Sequence, residues 1–136
     1  MTLRAIYFAI ITILLFIFFY FSPAASMDDP GFIVKRLVIC ENIADNEPVA
    51  IRNTFSADIE KIYCFLEAGN IEQDTVVTFV WYLEKQEMAR VPLLLEKGHR
   101  WRTFSSKKIA GRKGKWQVDL QDSFGIVISS VSFMVQ

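Results

Sequence analysis

The chain has 136 residues, with 15 basic and 15 acidic side chains and a formal net charge of zero. This balance excludes a protein that attracts nucleic acid through its overall charge. Hydrophobic residues make up 52% of the sequence, which is high for a soluble domain, and most of the excess lies near the amino terminus.

The first predicted element is an apolar run, Ala5–Phe21, of 17 residues without a charge. Its apolar residues cover every face rather than one stripe, so a core helix of a globular domain is not expected. A signal peptide has a shorter apolar stretch followed by small residues, which Ala24-Ala25-Ser26 supply. A membrane-spanning helix needs about 17–25 apolar residues. The run therefore predicts either a transmembrane or a signal helix, and we favour the uncleaved anchor.

The charges around this run predict its direction in the membrane. Arg4 precedes it, and Asp28 and Asp29 follow it, so the positive-inside tendency places everything after about residue 26 outside the cytoplasm. We divide the chain into a membrane anchor or signal peptide, residues 1–26, and an exported domain, residues 27–136, which is long enough for one core. Export separates this domain from nucleic acid, so no nucleic-acid partner is expected.

The exported part has the pattern of β-strands throughout. Its strand candidates are rich in β-branched and aromatic residues or alternate between apolar and polar residues. Turn signals separate them at short intervals. These features predict an all-β domain, a single small immunoglobulin-like sandwich of about seven antiparallel strands. The expected strands are, in chain order, IVKRLVIC, EKIYCFLEA, TVVTFVWYL, MARVPLLLE, RWRTFSS, KWQVDLQD and GIVISSVSFMV.

Two places depart from the regular pattern. The span Glu41–Asp58 is less regular, and we expect it to form a long connection between the sheets. Pro92 lies within a strand candidate, and because proline cannot donate to a ladder it indicates an edge strand or a bulge.

Alternation within three strands predicts which side chains enter the core, because successive side chains of a strand point to opposite faces. Trp116, at the head of the cleanest alternation, is expected to be buried. The residues expected to share an apolar face are Ile62, Cys64 and Leu66; Val77, Phe79, Trp81 and Leu83; and Trp116, Val118 and Leu120.

The sequence has two cysteines, Cys40 and Cys64. In an oxidising exported compartment an even number permits one disulfide. Cys64, however, lies on an apolar strand face, where a free thiol packs well. Both alternatives stay open, and we favour two buried thiols.

Charge is distributed unevenly along the exported part. Glu41–Glu96 contains eleven acidic and four basic residues, whereas Lys97–Lys115 contains eight basic residues and no acidic one. We expect these two halves either to attract each other within one fold or to present a surface of two signs to a partner.

The basic stretch is the candidate binding surface. Trp101 and Trp116 alternate with charged residues as core residues do, which predicts a solvated strand and turn with outward arginines. The alternative is a cationic face that binds an anionic lipid, glycan or protein. The candidate ligand-binding residues are Arg100, Arg102, Lys107 and Lys108.

No motif of catalysis is present in the sequence. It lacks a glycine-rich phosphate loop, a nucleophile elbow and a His-Glu-x-x-His pair. The single histidine, His99, has no neighbouring metal ligand. Asp119 and Asp122 are expected to face solvent. We therefore predict no catalytic residue, no metal and no cofactor.

Several stretches resemble a bacterial family known as domain of unknown function 2914. The resemblance covers roughly Leu37–Val135 and is carried by RWRTFSSK, GKWQVDLQDSFG and SFMV, with weaker support from NEPV and IYCF. It implies a small all-β domain of membrane-associated or exported proteins, without an established activity. The family's histidine two residues before the middle-strand tryptophan is replaced by Phe79, so no polar or metal-linked role carries over there.

The sequence predicts a non-catalytic, membrane-tethered, exported β-sandwich module for protein or anionic-ligand binding. The alternative is a structural accessory subunit of a cell-envelope complex. The expected location is the bacterial inner membrane with a periplasmic domain, or the secreted fraction if the first segment is cleaved. The expected partners are the membrane, through the amino-terminal helix, and an envelope protein or an anionic glycan or lipid.

Overall fold

The computed structural model describes residues 29–136, and the predicted anchor or signal peptide at residues 1–26 lies outside them. The described residues form nine strands and no helix. No helix that is long and apolar enough to cross a membrane occurs in this part of the chain. The strands are β1 Ile33–Ala44, β2 Glu47–Ile51, β3 Thr54–Phe55, β4 Lys61–Ile71, β5 Thr75–Leu83, β6 Gln86–Leu95, β7 Gly98–Lys108, β8 Gly114–Gln121 and β9 Val127–Val135.

The strands form two sheets that pack on each other. Sheet A has the order β2-β1-β4-β7, and sheet B has the order β3-β9-β8-β5-β6. All neighbours are antiparallel except β3 and β9, which pair in parallel. The predicted all-β fold with two sheets is confirmed. Pro92 lies in β6, an edge strand of sheet B, as its inability to donate to a ladder predicted.

The prediction of a long connection over Glu41–Asp58 was wrong. β1 continues to Ala44, turns at Asp45-Asn46 and returns as β2, and β3 follows. Asp45 and Asn46 both have positive φ, of 52° and 58°, as a two-residue hairpin turn requires. Aspartate and asparagine adopt this conformation more readily than other non-glycine residues, which explains a tight turn in a span without glycine.

The core lies between the sheets and contains the side chains that alternation predicted. Trp116 is fully buried, and the inward positions of β4, β5 and β8 all contribute to one cluster. Phe133 of β9 stacks on Trp116 with ring centroids 5.9 Å apart and meets Trp81 and Phe55 edge-on. Such pairs each stabilise by about 0.5–1.5 kcal/mol beyond the area that they bury.

The two cysteines are free and buried, which confirms the favoured prediction. Cys40 pairs with Tyr63 and Cys64 pairs with Ile39, so the two thiols lie on neighbouring strands but on opposite faces of sheet A. Side chains that point apart cannot form a disulfide without backbone movement. Burial raises the pKa of both thiols, that of Cys64 well above its usual value.

The sandwich has two distinct ends. At one end β1, β5, β7 and β9 begin and β4, β6 and β8 finish; we call it the proximal end because the described chain starts there. Phe32 is buried, and the Gly31 carbonyl accepts a hydrogen bond of 3.0 Å from the amide of Glu72, which follows β4. The opposite, distal end carries the turn between β7 and β8.

Candidate functional site

An ion-pair cluster lies on the outer face of sheet A. The register places Glu67 of β4 between Arg36 of β1 and Arg102 of β7. Arg100 Nε lies 2.6 Å from Glu67 Oε2, and Arg36 Nε lies 3.4 Å from Glu67 Oε1. Side chains of opposite charge on neighbouring strands attract each other. Because β4 lies between β1 and β7, the outward side chains of the three strands meet on one face of sheet A.

A second carboxylate reaches the cluster from the β1–β2 hairpin. Glu47 pairs with Ala44, which is eight residues after Arg36, about 26 Å along a straight strand. Arg36 Nη2 nevertheless lies 2.9 Å from Glu47 Oε2. The hairpin therefore bends back over the outer face of sheet A. Glu47 Oε1 also lies 2.8 Å from Arg102 Nη1 and 3.4 Å from Arg100 Nη2.

We call Arg36, Glu47, Glu67, Arg100 and Arg102 the Arg–Glu cluster. Hydrogen bonds from Arg36 and Arg102 lower the pKa of Glu47. Burial acts to raise the pKa of Glu67, but hydrogen bonds from Arg100 and Arg36 outweigh it, so this pKa is also below its usual value. Both carboxylates are thus ionised at neutral pH. Three arginines against two glutamates leave one positive charge, and the Arg100 side chain is 51% exposed.

Aromatic side chains surround the cluster. Phe65 faces outward, yet it is only 1% exposed, and the guanidinium carbon of Arg36 lies 4.9 Å from its ring centroid. This is the distance of a cation–π contact. Tyr63 and Phe104 meet edge-on at 5.7 Å, and Phe104 is 42% exposed. The outer face thus combines arginine with an exposed aromatic ring, two residue types that are enriched at protein interfaces.

An open groove runs between the bent hairpin and the sheet beside Phe104. Its volume is about 480 Å³. Hairpin residues form one wall, and outward side chains of β4 and β7 form the other. The lining residues are Asn42, Ile43, Asp45, Asn46, Lys61, Tyr63, Phe104 and Ser106. Because Phe104 lies two residues after Arg102 on the same face of β7, the groove and the Arg–Glu cluster form one continuous surface.

Two of the four predicted ligand-binding residues belong to this surface. Arg100 and Arg102 point outward from β7 and meet Glu47 and Glu67. The acidic and basic halves of the sequence were expected either to attract each other within the fold or to present a surface of two signs to a partner. These contacts are an attraction within the fold. The ligand-binding role of the arginines stays a prediction.

The other two predicted residues lie elsewhere. Lys107 pairs with Ile62, a core residue, and therefore points toward the inner side of sheet A. Lys108 pairs with Lys61 at the distal end. It lies six residues after Arg102, about 20 Å along the strand. A single cationic face that contains all four side chains is thus not formed, and a binding role for the lysines stays a separate prediction.

Three members of the cluster, Arg36, Glu47 and Glu67, were not predicted from the sequence. For Arg36 and Glu67 a signal was present, because alternation in their strands places both on the face opposite the core residues. For Glu47 no local signal was available, since its position depends on the bend of the hairpin. The excess of acidic residues before Lys97 was the general indication of internal pairing.

Sheet B carries a smaller depression on its outer face, near the distal end. Its volume is about 300 Å³, and its lining residues are Tyr82, Glu84, Lys85, Lys115, Gln117 and Asp119. Asp119 is only 9% exposed, and its Oδ1 accepts 2.7 Å hydrogen bonds from Gln117 Nε2 and Ser130 Oγ.

The expectation that Asp119 and Asp122 face solvent was wrong. Both are buried, because each carboxylate accepts hydrogen bonds that substitute for water. Asp122 Oδ1 accepts from the amides of Phe124 and Ile126, both at 2.9 Å, and so organises the connection between β8 and β9.

Metal ligands do not cluster in the described part of the chain. Within residues 29–136, no group of three or more histidine, cysteine, aspartate or glutamate side chains is arranged to hold a metal ion. His99, near the start of β7, is exposed.

Comparison with known proteins finds a family model that matches the carboxyl-terminal part of the chain. Residues 74–135 match the family described as Protein of unknown function (DUF2914). The resemblance to this family is confirmed over these residues, which cover β5 to β9. The match includes Arg100 and Arg102 but not Arg36, Glu47 or Glu67. No curated protein matches the sequence.

Among solved structures, similar chains include three structures of β-glucosidases of much greater length, two of them of one enzyme. A mutant enzyme from Listeria innocua in complex with laminaribiose is 10% identical, with a TM-score of 0.49, over 77% of this chain and 16% of that chain. The Listeria innocua enzyme in complex with glucose is 9% identical, with a TM-score of 0.48, over 76% and 15%. The Kluyveromyces marxianus enzyme is 11% identical, with a TM-score of 0.46, over 77% and 14%.

Proposed function

We propose that this chain is a membrane-tethered, exported module of immunoglobulin-like type that binds a protein or an anionic ligand and catalyses no reaction. Its site of action would be the outer side of a bacterial inner membrane, or the secreted fraction if the first segment is cleaved. The observation that carries the proposal is the Arg–Glu cluster with its adjoining groove. Nucleic acid is not among the proposed partners, because export separates the domain from it.

The arrangement of the arginines supports an anionic ligand. A guanidinium is planar and binds a carboxylate or a phosphate through two parallel hydrogen bonds. Glu47 shows that a carboxylate fits among these arginines, since one nitrogen atom from each of Arg36, Arg100 and Arg102 contacts it. It belongs to a hairpin at the edge of sheet A and is 43% exposed. An incoming anion would add to the half-exposed Arg100 or take the place of Glu47.

Binding of heparin and of polyglutamate to the full chain in detergent micelles tests the proposal. We expect the variant with Arg100→Gln and Arg102→Gln to lose about tenfold in affinity, at roughly 0.7 kcal/mol for each partly exposed charge. The matched control is Lys107→Gln with Lys108→Gln, which removes the same charge from the same strand. It should retain most of the affinity. Binding by the unaltered chain should weaken with added salt.

Either of two results would contradict this proposal. The first is binding that does not respond to salt in the unaltered chain, and the second is an equal loss of affinity in both double variants. Thermal unfolding of each variant separates lost binding from lost folding. The lysine control should keep its melting temperature, because Lys107 and Lys108 make no ion pair among the described contacts.

A structural accessory subunit is the second candidate function, and edge strand β2 supports it. Val49 and Ile51 of this strand are 43% and 54% exposed. An exposed apolar edge strand is a place where another protein adds a strand. If this candidate is right, the intact chain cross-links in native membranes to one large partner, and Ile51→Lys removes the cross-link. An unchanged cross-link in Ile51→Lys would exclude β2 as the docking site.

A further inference from the structure

The exposed apolar side chains are concentrated at the proximal end. Residues 29–136 contain ten large hydrophobic side chains that are at least 37% exposed, and six of them lie at or beside this end. Val76 and Leu94 pair across β5 and β6, and Val127 pairs with Gln121 in the same sheet. Concentration of this kind marks an interaction surface. The six are Ile33, Val76, Leu94, Phe124, Ile126 and Val127.

The connection between β8 and β9 holds the most exposed of these side chains in a defined turn. Phe124 is 75% exposed and Ile126 is 53% exposed. The buried Asp122 accepts hydrogen bonds from both of their amides, and its own amide donates to the Ile126 carbonyl at 2.9 Å. Gly125, with φ of 81°, completes the turn. The fold thus presents Phe124 and Ile126 to the exterior on a preorganised loop, although their burial would otherwise be favourable.

The position at which the chain enters the domain indicates what covers this end. Asp29 lies at the proximal end, and seven residues separate it from the apolar run that finishes at Phe21. Seven residues span at most about 25 Å. The distal end lies about 33 Å farther from the start of the described chain, which is the length of a strand such as Lys61–Ile71. If the apolar run is the proposed anchor, the proximal end is the part of the sandwich that reaches the bilayer.

We propose that the proximal end rests on the membrane surface, with Phe124, Ile126 and Val127 inserted into the lipid interface. This inference depends on the membrane tether of the proposed function. A bilayer interface accepts apolar side chains that a folded domain leaves exposed, and an anchor in the same chain supplies the proximity. The arginines of the Arg–Glu cluster then lie above the membrane, where a second ligand can reach them.

Charge at this end identifies the interaction as apolar. The connections there carry mainly acidic side chains, which do not attract anionic lipid. Contact with the membrane should therefore form on neutral vesicles without anionic lipid and should not weaken with added salt, unlike ligand binding by the arginines. The charged residues of these connections, within the described chain, are Asp29, Glu72, Asp74, Glu96, Lys97 and Asp122.

Spin labelling of the full chain in vesicles tests the inference. Cys40 and Cys64 are fully buried, so a nitroxide attaches selectively to an introduced surface cysteine. Ser123→Cys places the label beside Phe124, and Lys113→Cys places a control label at the distal end. We expect the label at position 123 to be accessible to oxygen and shielded from a water-soluble nickel chelate, whereas the label at position 113 should be fully accessible to nickel.

Lipid composition and a second variant complete the experiment. Vesicles of phosphatidylcholine alone should shield position 123 at least as well as vesicles of phosphatidylethanolamine with phosphatidylglycerol. Adding Phe124→Ser and Ile126→Ser should restore nickel accessibility at position 123 to the level of position 113. The melting temperature should not change, since both side chains are exposed. In the chain that keeps Phe124 and Ile126, equal accessibility of positions 123 and 113 to nickel would overturn the inference.

Two further outcomes identify why the inference fails. Dipolar broadening between labels, with shielding that persists in detergent, would show that a second copy covers the proximal end instead of lipid. A chain that does not float with the vesicles would overturn the tether itself, and with it the proposed membrane location. A chain that floats while position 123 stays accessible to nickel would overturn the membrane contact alone.

Discussion

Glu67 is the residue that joins the two halves of the charge pattern. Its side chain is 11% exposed and contacts Arg36 and Arg100, which lie on the strands at either side of β4. Exposed ion pairs contribute little to stability because water competes for both partners. Glu67 differs because it is largely removed from water while its partners stay partly exposed. We therefore expect the stability of the cluster to depend on it more than on Glu47.

Glu67→Gln should lower the free energy of unfolding by roughly 1–2 kcal/mol, because it leaves arginines without their shielded partner. Denaturant unfolding of the full chain measures the change. Glu60→Gln is the control, since Glu60 is exposed and makes no ion pair within the described chain. A loss as small as that of the control would show that the cluster does not stabilise the fold.

The lowered pKa values of Glu47 and Glu67 predict a loss of stability in acid. A carboxyl with a lower pKa in the folded state stabilises the fold above its unfolded pKa, near 4.5. That stability disappears as the pH falls below this value and through the folded pKa. The melting temperature of the unaltered chain should fall steeply below about pH 4.5. In Glu47→Gln with Glu67→Gln the decline should be shallower; parallel curves would contradict the assignment.

Substitution of the single residue Trp116 tests how much the core contributes to stability. Trp116 is fully buried and stacks on Phe133, so Trp116→Ala should cost about 3–5 kcal/mol and abolish most folding in a domain of ordinary stability. Trp101→Ala is a matched comparison, because Trp101 is only partly buried, and it should cost less. Circular dichroism during thermal unfolding distinguishes the two. Melting of Trp116→Ala within a few degrees of the unaltered chain would contradict its structural role.

At the scale of elements, the β1–β2 hairpin is the distinctive feature of sheet A. Its residues leave the ladder with β4 after Cys40 and return across the outer face. The arginines contact the hairpin through Glu47, and Cys40 of β1, which pairs with Ile51 of β2, is fully buried. The hairpin therefore covers part of a sheet face that would otherwise be open to solvent. Elements with few buried contacts open locally before the whole domain unfolds.

Cys40 provides a direct measure of hairpin opening. We expect Glu47→Ala to increase the rate of Cys40 alkylation by about threefold to tenfold, because the hairpin loses its contacts with the arginines. Cys64 lies in the core and is an internal control, since its alkylation requires opening of the sandwich. Mass spectrometry distinguishes the two thiols. An unchanged Cys40 rate, or equal acceleration at both cysteines, would contradict a hairpin held by Glu47.

At the scale of the whole molecule, the two ends of the sandwich differ in character. The proximal end carries six of the ten exposed apolar side chains of the described residues and the start of the described chain, and the distal end carries the basic turn between β7 and β8. With the proposed anchor, this polarity would orient the domain on a membrane. The Arg–Glu cluster lies between the two ends on the outer face of sheet A, where a soluble ligand has access.

The direction of the chain across the membrane is open to a simple test. A reporter that is active only outside the cytoplasm, fused after Gln136, should be active, because Arg4 before the apolar run predicts a cytoplasmic amino terminus by the positive-inside tendency. A reporter that is active only in the cytoplasm serves as the control. Activity of that control fusion would overturn the export of the domain and would readmit nucleic acid as a partner.

The sequence by itself determined the strands in which apolar and polar residues alternate. Seven of the nine strands were expected from the sequence, and the inward residues of β4, β5 and β8, with the burial of Trp116, follow from a period of two, because the pleat alone assigns each side chain to a face. The same period placed Arg100 and Arg102 outward. Local chemistry also identified the edge position of Pro92.

Only the tertiary structure decided how distant segments meet. Strand order brought Arg36 and Glu67 beside Arg100, and the bend of the hairpin brought Glu47 over them, although up to 55 residues separate the partners. Such contacts depend on sheet order and curvature, which no local period encodes. The burial of Asp119 and Asp122 likewise depends on hydrogen-bond partners. Alternation assigns a side chain to a face, but packing decides whether that face meets water, a partner strand or a charge of opposite sign.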